Sequence, residues 1–123
     1  AGFFIASGSL GILLINPNGE HMLLPNQDYA SISPDGNWVI AWNVDRPGQP
    51  GAHLFQVNNN ASLQTLITER VENIIWQPDS KAFFIQSEGT LYHFTFPNLK
   101  PAIISVDLPK DTPIPMVWVD ENF

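Results

Sequence analysis

The sequence contains no cysteine. That absence excludes a disulfide framework, a thiolate metal centre and a cysteine nucleophile. Basic residues are scarce as well: five Lys and Arg stand against twelve Asp and Glu, a formal net charge of −7. Affinity for nucleic acid comes largely from clustered cations on phosphates, so no nucleic-acid partner is expected. No apolar run approaches the roughly 20 residues needed to span a bilayer, and no membrane span is expected. A Gly-x-Ser-x-Gly elbow, a glycine-rich phosphate cradle and a His-Glu-x-x-His pair are all missing. His21, His53 and His93 share no metal-ligand spacing and read as solvent-facing strand or turn residues. The expectation is therefore a chain with no catalytic residue, no metal and no cofactor.

What remains is rich in β signals. The chain has 123 residues, of which 44% are hydrophobic, and this length suits one domain. Surface scaling gives roughly 20,000 Å² unfolded and roughly 6,600 Å² folded, so about two-thirds of the surface can be buried without staples. Apolar runs such as Phe3-Phe4-Ile5, 12–15, 38–42, 63–67 and 102–106 are short and bounded by Pro, Gly, Asn and Asp. Eleven prolines and eight glycines oppose long helices, since each interior proline costs about 3 kcal/mol. The one helix-tolerant window, 62–73, carries β-branched Thr65, Ile67, Thr68 and Val71. The fold class expected is all-β.

The chain also repeats itself. Gly2-Phe3-Phe4-Ile5-Ala6-Ser7 aligns with Ala82-Phe83-Phe84-Ile85-Gln86-Ser87, and Trp38-Val39-Ile40-Ala41-Trp42 fits the same slot. Phe3 to Val39 spans 36 residues and Val39 to Phe83 spans 44, the longer unit carrying a loop insertion at 45–51. A leucine-aromatic slot follows (Leu13-Leu14, Leu54-Phe55, Leu91-Tyr92), then a third strand, then a strand running into Pro34-Asp35-Gly36 or Pro78-Asp79-Ser80. Proline presets φ and glycine supplies a left-handed residue, so Pro-Asp-Gly marks a turn. A third copy, Trp118-Val119-Asp120-Glu121, has lost the proline. The repeats run approximately 1–36, 37–80 and 81–123.

This pattern resembles the blades of a TolB-like β-propeller, a relative of the WD-repeat family. The resemblance implies about three four-stranded antiparallel blades around a channel, with residues 30–33, 73–77 and 115–119 lining it. Closed propellers typically carry four to eight blades. Three repeats therefore imply part of a larger propeller, half of a six-bladed homodimer formed by edge-strand pairing, or an open monomeric stack. The resemblance further suggests a periplasmic or cell-surface location.

It also implies that segments 26–29, 68–73 and 107–115 gather at one mouth of the channel. The candidate ligand-binding residues there are Asp28, Tyr29, Glu69, Arg70, Glu72 and Asp111, with Trp42 nearby. Asp107 and Lys110 belong to the same segments. A mouth rich in carboxylates focuses negative potential and favours a cationic ligand or a hard metal ion. Pro109, Pro113 and Pro115 stiffen the last segment. Of the tryptophans, Trp76 and Trp118 share the slot of Ile32 and should pack between repeats. Trp38 and Trp42 share a strand face, and Trp42, ahead of the 45–51 loop, should be the more exposed. The function expected is a non-enzymatic protein- or peptide-binding scaffold. The alternatives are the propeller portion of a larger hydrolase or lyase, and a carbohydrate-binding module using Trp42 and Tyr92.

Overall fold

In the computed structural model, which describes residues 4–43, 50–57, 62–109 and 113–116, no helix occurs among the described residues. Eleven strands form three antiparallel meanders in chain order. The first sheet holds β1 (Phe4–Gly8), β2 (Gly11–Ile15) and β3 (His21–Pro25). The second holds β4 (Tyr29–Ile32), β5 (Trp38–Asn43), β6 (Gly51–Gln56) and β7 (Ser62–Ile67). The third holds β8 (Val71–Trp76), β9 (Ala82–Ser87), β10 (Thr90–Thr95) and β11 (Pro101–Ser105). The 62–73 window is thus occupied by strands. The first sheet has three described strands where a four-stranded unit was expected. Pro115 and Met116 lie in no strand, and 117–119 fall outside the described residues.

The Pro-Asp turns join the first two strands of the second and third sheets, so the first two sequence repeats each straddle two sheets. In the first of these turns the Gly36 N–H donates to the Ser33 carbonyl at 2.9 Å, and Gly36 takes φ 78°. The Ser33 hydroxyl donates to Asp35 Oδ1 at 2.6 Å and accepts the Trp38 N–H at 3.0 Å. That hydroxyl, helped by the Asn37 N–H, holds the Asp35 carboxyl below its ordinary 3.8. In the second turn Ser80 replaces the glycine and still adopts φ 62°, a conformation costing an L-residue roughly 1–2 kcal/mol. Its reward is local: Ser80 Oγ accepts the Asp35 N–H at 2.9 Å, clasping the two turns together.

Sheet packing explains the core. Strand alternation sends Val39, Ala41 and Phe55 toward Ile12, Leu14 and Leu24 of the first sheet. The opposite face of the second sheet sends Ile40, Trp42, Ala52 and Leu54 toward Ile74, Trp76, Phe83, Ile85 and Phe94 of the third. The middle sheet is therefore covered on both sides, and β5 and β6 are buried almost throughout. Each Val, Leu, Ile or Phe among them contributes about 1.5–3 kcal/mol on burial. Trp76 is buried between the second and third sheets, as its slot implied. Trp118 lies outside the described residues.

Candidate functional site: a cleft where two sheets begin

The first strand of the third sheet lies beside the first strand of the second. Trp76 Nε1–H donates to the Ser31 carbonyl at 3.2 Å and fixes this approach. At the end where β4 and β8 begin, Tyr29, Trp42, Arg70, Val71, Glu72, Asn73 and Pro113 line a cleft of about 330 Å³.

Each wall has a local cause. Tyr29 and Trp42 are directly opposite partners on β4 and β5, so their rings meet on one face, stacked at 5.6 Å and 28°. The Asp28 N–H donates to the Trp42 carbonyl at 2.9 Å and carries the ladder one residue further. Trp42 is consequently buried while Tyr29 stays exposed. This reverses the expectation that Trp42 would be the more exposed of the two strand tryptophans; Trp38 is the half-buried one, because Tyr29 roofs the Trp42 ring. Glu72 occupies a register shift between Val71 and Asn73, and both of its carboxylate oxygens are buried.

The Pro113 wall is held by two amides. Asn73 and Gln86 are cross-strand partners on β8 and β9. Asn73 Nδ2 donates to the Ile114 carbonyl at 2.8 Å. Gln86 is fully buried; its Nε2 donates to the Pro109 carbonyl at 3.2 Å and its Oε1 accepts the Ile114 N–H at 2.9 Å. Satisfying the backbone of a returning segment is a strong reason to bury an amide in an otherwise apolar strand.

Of the seven sequence candidates, Tyr29, Trp42, Arg70 and Glu72 share this cleft. Asp28 and Glu69 adjoin lining residues in the chain but do not line it, and Asp111 lies outside the described residues. Val71, Asn73 and the Gln86 clasp were missed; the signal was an amide within each of the runs Glu72-Asn73-Ile74-Ile75 and Phe84-Ile85-Gln86. Tyr92 packs half-buried against the core cluster and does not line the cleft, so the pair suggested for sugar binding does not share it.

The histidines stand on three different sheets. His21 is exposed beside a shallow groove on the outer face of the first sheet. The expectation of solvent-facing histidines fails for the other two. His53 is buried, with Nδ1 3.1 Å from Thr65 Oγ1, because β6 is covered on both faces; burial pushes its pKa below 6.5. His93 is half-buried and stacks on Phe84 at 4.4 Å. Among the described residues no three His, Asp or Glu side chains are grouped to hold a metal ion. The chain matches no known family model and shows no significant match to a curated protein.

Proposed function

We propose that this chain is a stack of propeller-type blades, TolB-like in plan, that acts as a non-enzymatic protein- or peptide-binding module through the cleft at the start of β4 and β8. Three features support the blade reading: successive meanders, face-to-face stacking, and matched Pro-Asp turns clasped by Ser80 and Asp35. The observation carrying the binding reading is the cleft itself, where an exposed aromatic ring, two charged side chains and a braced proline converge. Binding clefts are commonly concave and largely apolar, with a few convergent polar groups.

The test is selection from a random decapeptide display library on the immobilised full chain, with Tyr29→Ala as counter-selection. Because Tyr29 also covers Trp42, circular dichroism and thermal melting first check that the variant keeps the parent fold. The reading expects peptides that bind the parent and lose affinity for the variant. Recovery of none, or of peptides indifferent to the variant, would overturn it.

A further inference from the structure

The cleft has one wall whose chemistry selects among side chains. Tyr29 is 55% exposed, and Trp42 supports its ring from behind. Both rings line the cleft, and the exposed Tyr29 ring brings an electron-rich π face to its wall. The surroundings are electrically lopsided. Strand order in the third sheet places Glu69, Glu72, Glu88 and Asp107 at the end where β8 begins, and Asp28 precedes β4 at the same end. Arg70 is the cation among the described residues there, whereas Lys81 and Lys100 stand at the opposite end. A π face in a negative field favours a cation. An apolar wall of Val71 and Pro113 favours a cation with an aliphatic stem. The volume of about 330 Å³ is at the low end of the roughly 300–1,000 Å³ seen for small-molecule clefts, so it suits one long side chain rather than a folded surface.

We infer that the cleft takes a cationic side chain of an extended peptide, arginine foremost, with the guanidinium plane lying over the Tyr29 ring. Arginine is preferred to lysine because its planar, weakly hydrated head stacks on aromatic faces. This inference rests on the peptide-binding reading above.

The experiment uses decapeptides recovered in that selection, resynthesised with arginine replaced by citrulline, a neutral isostere. Binding is followed by calorimetry on the parent, Tyr29→Phe and Tyr29→Ala. The expected result is a recurring arginine or lysine, and roughly 5- to 30-fold weaker binding of the citrulline peptide to the parent. Tyr29→Phe keeps that preference and Tyr29→Ala abolishes it. Cleft-dependent peptides without a cationic residue, or equal affinity for arginine and citrulline, would overturn the inference while leaving peptide binding standing. Failure of the selection itself would overturn both.

Discussion

The indole nitrogen of Trp76 and the carbonyl oxygen of Ser31, 3.2 Å apart, join two strands that belong to different sheets. The same indole packs on Phe83 at 4.9 Å and on Phe96 at 6.3 Å, so Trp76 combines core volume with a polar tie. Replacing it separates the two. Trp76→Phe, which removes the tie and some volume, should cost about 1–3 kcal/mol, and Trp76→Ala about 3–5 kcal/mol. Urea unfolding measures both; a Phe variant as stable as the parent would deny the tie any weight.

Ser80 sets backbone strain against a hydrogen bond. Ser80→Ala keeps the left-handed strain and loses the bond to Asp35, so about 0.5–1.5 kcal/mol should be lost. Ser80→Gly loses the same bond and relieves roughly 1 kcal/mol of strain, leaving stability near the parent's. The order glycine above alanine is the diagnostic result in thermal melts, and the reverse order would refute this account.

Gly51 opens β6 at φ 115°, and a Cβ there would drive into the carbonyl oxygen of Ile67. Gly51→Ala should therefore displace the end of β7 from β6. The expected readout is loss of amide protection at the Ala52–Ile67 pairing, with a destabilisation of at least 2 kcal/mol. Unaltered protection there would contradict the close approach.

His53 makes stability depend on pH. Its folded pKa is depressed by burial, so the unfolded chain binds the proton more readily. Stability is fully present above 6.5 and falls as the pH drops from 6.5 through the lower folded value. Asp35 acts in a separate window: its contribution is present above 3.8 and is lost as the pH falls through its lower folded pKa. Denaturation midpoints measured from pH 7.5 to 5 should decline for the parent, and His53→Gln should flatten the decline. An equal slope in both proteins would remove His53 as the cause.

β11 ends the third sheet with Ile103 and Ile104 62% and 56% exposed, and residues 101–106 carry no charge. Such an edge invites pairing with another chain. Light scattering should report a particle of roughly twice 13.7 kDa if copies complete each other's stack through this edge. Ile103→Lys should then return it to the monomer mass with little change in melting temperature. A parent already monomeric at 100 micromolar would exclude the paired form.

The β class and the turns were legible because Pro-Asp-Gly and the Asn and Gly residues bounding the apolar runs act through local sterics. At Asn16, for example, the side-chain oxygen accepts the Asn18 and Glu20 N–H groups at 2.9 and 3.0 Å. That Tyr29, Arg70 and Glu72 would share one end was legible through the propeller resemblance rather than through any local pattern. Where one sheet stops and the next begins was not. In Trp38-Val39-Ile40-Ala41-Trp42 both faces are apolar, so alternation no longer tells inside from outside. For the same reason the burial of His53 was hidden: its neighbours read as a half-exposed strand. The role of Ser80 depends on a residue 45 positions away, beyond the reach of any local pattern. Trp42 was misread because its exposure is decided by a tyrosine on a different strand.

The second sheet, flanked on both sides, has consequences for how the molecule opens. Its β5 and β6 amides should exchange with deuterium last, after β1, β3 and β11, whose outward edges let solvent in strand by strand. Unfolding would then proceed by peeling the outer layers, and any lesion in the central layer would be felt by both neighbours at once.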